Sequence, residues 1–247
     1  MFQWIKDSIN LVIPHTSASC HVILARPDAG LCIHCLNRIQ ALVKGCDHEL
    51  TQRLGKHKNQ VRRGYALMYF EQHGVSQHLI HKIKYHNGEH LATYWGRYLG
   101  TILQNQGVYT AVKSCLLIPV PMHKRRARRR GYNPPLHIAY GIQEVLGNRS
   151  LVCHSVLSRV QHSKSQTSAD FNQRYQRLTG CFQAYPLPVK PDIIILVDDV
   201  ITSTSTLAHC AEALRSVFSK DIYATALAFA AYISTISFKK IRTLWVD

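Results

Sequence analysis

Residues 193–207 read Ile-Ile-Ile-Leu-Val-Asp-Asp-Val-Ile-Thr-Ser-Thr-Ser-Thr-Leu, and that order leaves few folds open. A short apolar run rich in β-branched side chains suits a strand buried on both faces of a parallel sheet. Ligands of such sheets bind past the carboxyl ends of the strands, which is where Asp198 and Asp199 fall. Thr202, Ser203, Thr204, Ser205 and Thr206 follow, and then Leu207, Cys210, Ala211, Leu214 and Val217 recur at helical spacing. The hydroxyl loop therefore opens onto a helix whose first N–H groups attract an anion, so a phosphate belongs there. Two carboxylates beside a phosphate call for ribose hydroxyls or a Mg²⁺ shared with the ligand. The plainer alternative is that the carboxylates end a core strand and Thr204 or Ser205 caps the next helix.

The rest of the chain beyond residue 60 alternates strand and helix patterns, which favours an α/β fold with a parallel sheet flanked by helices. The spacing predicts strands at Tyr65–Phe70, Cys115–Val120, Leu151–Val156 and Ile222–Ala230. Helices are expected from Val75 and from Leu91, broken around Asn87-Gly88, and over Leu136–Leu146.

Charge narrows the partners. Thirty basic residues against fourteen acidic ones give a formal charge of +16, which attracts polyanions. Lys124, Arg125, Arg126, Arg128, Arg129 and Arg130 fill all but one position of a seven-residue stretch directly after the Cys115–Val120 strand. On the same sheet edge as Asp198 and Asp199, that stretch reads as a cationic loop for a pyrophosphate, with Lys124 and Arg125 the first contacts. Arg126, Arg128, Arg129 and Arg130 supply more cation than one pyrophosphate needs, and suit a nucleic-acid backbone. A solvated charge run would look the same.

Residues 1–60 read as a separate small module and residues 61–247 as the main domain. Cys32-Ile-His-Cys35 has zinc-knuckle spacing, with eleven residues between Cys20 and Cys32 and ten between Cys35 and Cys46. Four thiolates from Cys20, Cys32, Cys35 and Cys46 would form a tetrahedral Zn²⁺ site. Neither Cys20 nor Cys46 has a partner at knuckle spacing, so His34, His48 or His57 is an alternative ligand, and small apolar cysteines are the other reading. No apolar run reaches the roughly 20 residues of a membrane span, and Trp4, Lys6 and Asp7 interrupt any signal-peptide core. The expectation is a cytoplasmic protein whose cysteines are thiols or metal ligands rather than disulfides.

The Asp-Asp and hydroxyl segment resembles the phosphoribosyl pyrophosphate (PRPP) signature of type I phosphoribosyltransferases, with Thr204 where that signature has glycine. Together with the cysteine module, Leu79-Ile-His-Lys-Ile-Lys-Tyr85 and Arg129-Arg130-Gly131-Tyr132-Asn133, it resembles the ComF family, with Pro134 replacing a glutamine. The resemblance implies an N-terminal zinc finger on a type I phosphoribosyltransferase-like domain, and a role in natural transformation. It also implies a flap over PRPP, mapping onto Arg159, Ser163, Gln166, Ala169, Arg174 and Phe182, with Arg177 replacing an asparagine. Such a flap would exclude water from an oxocarbenium-like intermediate.

Three functions follow from this reading. The first is a competence protein that binds Mg²⁺-PRPP and single-stranded DNA and assists DNA uptake at the inner face of the cytoplasmic membrane. The second is an active phosphoribosyltransferase, with Asp198 and Asp199 catalytic and an unidentified nitrogenous acceptor; a β-branched Thr204 at a position suited to glycine counts against its turnover. The third is an adaptor that holds a DNA-uptake helicase or recombination mediator near incoming DNA, and contacts the membrane only through partners.

Overall fold

The computed structural model describes residues 15–25, 28–42, 46–55, 61–85, 88–105, 112–160 and 178–231. Its helices are α1 (Ile33–Leu42), α2 (Cys46–Gly55), α3 (Val75–Tyr85), α4 (Glu89–Asn105), α5 (Lys124–Arg130), α6 (Pro134–Leu146) and α7 (Ser205–Arg215). Its strands are β1 (Arg63–Tyr69), β2 (Cys115–Pro119), β3 (Ser150–Val152), β4 (Leu157–Arg159), β5 (Phe182–Ala184), β6 (Ile193–Ile201) and β7 (Asp221–Phe229).

The apolar run Ile193–Val197 is buried throughout because β6 lies in mid-sheet. On one side β2 pairs with it in parallel, from Cys115 opposite Ile193 to Pro119 opposite Val197; on the other, β7 pairs in parallel from Asp221 opposite Ile193. The five-stranded sheet runs β1-β7-β6-β2-β3, parallel at every pairing.

Successive strand residues face opposite ways, and the two faces build separate cores. Ile193, Ile195 and Val197 join Leu67, Leu117 and Leu227 beneath apolar residues of α1, α3, α4 and α6. Ile194 and Leu196 join Leu116, Ile118 and Ala224 beneath α2 and α7. In α4, Leu91, Trp95, Leu99 and Leu103 form one buried stripe at a four-residue step. Close packing of α4 on α6 depends on Gly96 and Gly141, because a Cβ would stand 2.3 Å from the Ile138 carbonyl oxygen or 2.1 Å from that of Thr93.

The two N-terminal helices lie on opposite faces of the sheet: Cys35 and Ile39 of α1 enter the first core, and Leu50 and Leu54 of α2 enter the second. Leu50 and Leu54 are at most 1% exposed, so truncating either to alanine costs about 2–5 kcal/mol.

From β2 the chain crosses through α6 to β3 on one flank, whereas from β6 it crosses through α7 to β7 on the other. The strand order thus reverses between β2 and β6, which opens a crevice at their carboxyl ends. The expected strands and helices are present with shifted ends; α6 starts two residues early because Pro134 and Pro135 suit a first helical turn. The antiparallel pair β4–β5 and the helical form of the cationic stretch were not expected. Among the described residues no helix is long and apolar enough to cross a membrane.

Candidate functional site: a carboxylate crevice and a thiol turn

At the crevice, the backbone N–H of Val120 donates to the Val197 carbonyl at 2.8 Å, extending the β2–β6 ladder to its end. The Asn133 amide donates to the Val120 carbonyl at 3.3 Å and ties down the chain that follows β2. Asp198 and Asp199 sit inside β6, which runs on to Ile201, so strand alternation turns the adjacent carboxylates to opposite faces.

Asp199 is 8% exposed and turns toward α3, where Lys84 Nζ lies 3.2 Å from its Oδ2. Asp198 lies on the α7 side, close enough to the buried Cys210 to help raise that thiol's pKa. Its Oδ1 accepts the Asp199 backbone N–H at 2.8 Å. Burial, and then the neighbouring Asp199 charge, push the Asp198 carboxyl up to about 7. At neutral pH one carboxylate is neutralised by a lysine, and the other still holds a substantial share of its proton.

The hydroxyl run divides by depth. Thr202 is exposed and Ser203 and Thr206 half-buried, whereas Thr204 and Ser205 are buried. Thr204 has φ −69° and ψ −3° and accepts the Ala208 N–H at 2.9 Å as the turn before α7. The backbone here is right-handed, so replacing glycine by threonine brings no dihedral strain. The expected obstacle is confined to the space its side chain fills.

The cationic stretch forms the helix α5 because both ends are capped. His123 Nδ1 accepts the Arg125 N–H at 3.1 Å, and Gly131, at φ 83°, ends the helix by donating to the Ala127 carbonyl at 2.8 Å. Arg125, Arg126, Arg128 and Arg129 are exposed. Arg130 folds back on α3: its Nη2 donates to the Tyr85 hydroxyl at 3.2 Å, and its Cζ stands 5.0 Å from that ring's centroid. The Lys124 side chain lies outside the described residues.

Arg159, at the end of β4, packs its guanidinium over Phe182 at 5.5 Å. Burial lowers its pKa, with the Arg126 charge a further cause, and Cys210 is near enough to oppose the shift. Arg126 and Arg159 therefore approach the side of the sheet that carries Asp198. Ser163, Gln166, Ala169, Arg174 and Arg177 lie outside the described residues. Sequence reasoning passed over Lys84 as a site residue. Its signal was helical: it follows the buried Ile80 by four positions, so it leans inward.

A second cluster lies in the N-terminal segment. One ligand atom each from Cys20, Cys32 and Cys35 falls within 4.8 Å of the others, and the Cys20 and Cys32 sulfurs are 3.4 Å apart. Buried Ser17 donates from Oγ to Cys35 Sγ at 3.7 Å and accepts the Cys32 N–H at 3.3 Å. Hydrogen bonds from Ser17 and the Val22 backbone lower the Cys20 thiol to about 7, whereas burial raises that of Cys35. Tetrahedral Zn²⁺ with bonds of about 2.3 Å holds its sulfurs about 3.8 Å apart, so these three thiols suit it as ligands. Cys46 opens α2, but its side chain, like those of His48 and His57, lies outside the described residues.

No protein-family model matches the chain. It is 31% identical over 118 residues to Competence protein F of Haemophilus influenzae, a match covering 46% of this chain. That match spans half the length of the relative, 50%. A solved structure, purine phosphoribosyltransferase from Pyrococcus horikoshii, aligns with 58% of this chain and 78% of its own at 15% identity and a TM-score of 0.31. The chain is thus a homologue of a competence protein over about half of either length.

Proposed function

We propose that this chain is a ComF-type competence protein that binds Mg²⁺-PRPP in the β2–β6 crevice and single-stranded DNA on α5, on the cytoplasmic side of DNA uptake. The observation that carries the reading is that the Asp198–Asp199 pair lies near the carboxyl end of β6 and that β2, its neighbour at the sheet's reversal point, leads into a helix carrying four exposed arginines. Mg²⁺ would supply the charge that lets two carboxylates face a polyphosphate. Asp198 and Asp199 would hold it, directly or through ribose hydroxyls, with Thr202, Ser203 and Thr206 the accessible hydroxyls for the phosphate end. Carboxylate oxygens are hard donors of the kind Mg²⁺ takes.

Arg125 faces the crevice's ligand in this reading, while Arg126, Arg128 and Arg129 run on to a nucleic-acid backbone. Arg130, engaged with Tyr85, holds α5 against α3. Zn²⁺ on Cys20, Cys32 and Cys35 would fix the N-terminal turn. The similarity to Competence protein F supports the transformation role.

Titration calorimetry with Mg²⁺-PRPP tests the crevice. Wild type should bind, and Asp198→Asn/Asp199→Asn should weaken binding by roughly tenfold or more, at about 1.4 kcal/mol per factor of ten. Unchanged affinity in the double variant would overturn the site. The right-handed backbone of Thr204 favours a second reading, an active phosphoribosyltransferase, because it removes the conformational objection to turnover. Pyrophosphate release that depends on one nitrogenous base would support this reading; none across a panel of bases would leave binding alone.

A further inference from the structure

On the face of α3 away from β6, the turn carrying Cys20 leaves an open hollow of about 400 Å³ against the helix, lined by Thr16, His21, His78, His81 and Lys82 among others. That volume falls in the range of small-molecule sites. Its ionisable lining is one-sided in charge: a lysine and three imidazoles, beside hydroxyls and Ala18, with no carboxylate.

Lys82 is half-buried, donates from Nζ to the Thr16 carbonyl at 2.6 Å, and has no carboxylate partner among the described residues. An ammonium withdrawn from water without a counter-charge is costly, and an anion in the hollow would offset that cost. Burial accordingly lowers its pKa.

A separate observation concerns His21, which holds φ 59° at the tip of the turn. Histidine adopts this left-handed backbone more readily than most side chains, and here it sets His21 in the lining of the hollow. His78 Nδ1 lies 3.2 Å from Ser19 Oγ, fixing a second imidazole on the opposite wall.

We propose that this hollow binds a phosphate group, held by Lys82 with His21, His78 and His81, as an anion site distinct from the β2–β6 crevice. Two residues along α3, Lys84 turns to Asp199, so one helix carries a cation to each site. His81 also stacks on Tyr85, with ring centroids 4.8 Å apart, and Tyr85 receives Arg130. The hollow is therefore joined to α5 through the His81–Tyr85 and Tyr85–Arg130 contacts, along which a polynucleotide backbone would run. A free phosphate or nucleotide would use the hollow alone. The inference stands whether or not Mg²⁺-PRPP binds the crevice.

The test follows the imidazole signals of His78 and His81 by NMR in the full chain. Inorganic phosphate, adenosine 5′-monophosphate and single-stranded oligothymidylate are each titrated into wild type, Lys82→Gln and His81→Gln. Saturable shifts at His78 with the small phosphates, weakened roughly tenfold in Lys82→Gln, are expected for a free-phosphate site. Shifts with oligothymidylate alone, lost in Lys82→Gln, would support the site with a polymer as its source. Unmoved signals with all three probes would overturn the proposal, and so would equal affinity in wild type and Lys82→Gln. His81 is exposed, so His81→Gln retains the fold and supplies the same comparison if Lys82→Gln does not fold. Binding as tight as wild type in a folded His81→Gln, with Lys82→Gln unfolded, would also count against the hollow.

Discussion

The β2–β6 crevice and the Cys20 turn both gather acids, and they manage the gathered charge differently. In the crevice the chain supplies its own cation: Lys84 pairs with Asp199, and the strain between the carboxylates is relieved by a proton retained on Asp198. Around the thiols the partners among the described residues are hydroxyl, thiol and backbone groups, which stabilise Cys20 while burial raises the pKa of Cys35. A region with its own cation stands without a metal. A region with only dipolar partners gains most from one.

Chelation should separate the two regions most sharply. Stripping metal from the purified protein should lower the thermal midpoint by about 15 °C, given the large share of folding energy a structural zinc supplies, and leave Mg²⁺-PRPP titratable at lower temperature. An unmoved midpoint would put the thiols on the same footing as the crevice.

The next effect belongs to Asp198. Its carboxyl lies above its ordinary 3.8, at about 7, so the stability linked to it is fully present below about pH 4 and lost as pH rises toward 7. The full span corresponds to at most about 4 kcal/mol. Asp198→Asn should remove that slope and be the more stable protein at pH 8, as read from urea midpoints across pH 4–8. Parallel curves for the two proteins would mean that Asp198 ionises as freely as an exposed acid.

Removing the crevice's own cation should cost less. Lys84→Met leaves Asp199 buried without its partner, for a loss of about 1–2 kcal/mol in denaturant unfolding once partial solvent screening is allowed for. A loss below a few tenths would show the ion pair to be incidental. The smallest effect on folding is expected on α5: Arg128→Ala/Arg129→Ala should leave stability within about 0.5 kcal/mol. It should also flatten the salt dependence of single-strand binding by roughly 0.7 log units per lost contact. An unchanged slope would move the nucleic acid off this helix.

Much of the crevice was legible in sequence because its parts are local. A β-branched run, a carboxylate pair and a hydroxyl turn announce strand, edge and helix start within fifteen consecutive residues. What local pattern does not carry is direction. Asp198 and Asp199 are neighbours in the chain but face different helices, and only the strand's continuation to Ile201 reveals it.

The cationic stretch read as a loop because it directly follows a strand, and six like charges within seven residues repel along a helix. The caps at His123 and Gly131 decide otherwise, and they are visible only once the helix is drawn. Cys20 lacked a knuckle partner in sequence; the hairpin that bridges Thr16 to Ile23 brings it to Cys32. Arg130 looked like its neighbours until Tyr85 was placed beside it.

The position of β7 in the sheet also bears on how the protein is made. β1 pairs with β7, and β7 separates it from the rest of the sheet. Among the described strands, Arg63–Tyr69 thus leaves the ribosome with no partner until Asp221–Phe229 has been synthesised, roughly ten to thirty seconds later at ordinary translation rates. During that interval Leu50 and Leu54 of α2 have only β1 to shelter them. The last of the described strands to emerge is the one that lets the first part of the described chain join the fold.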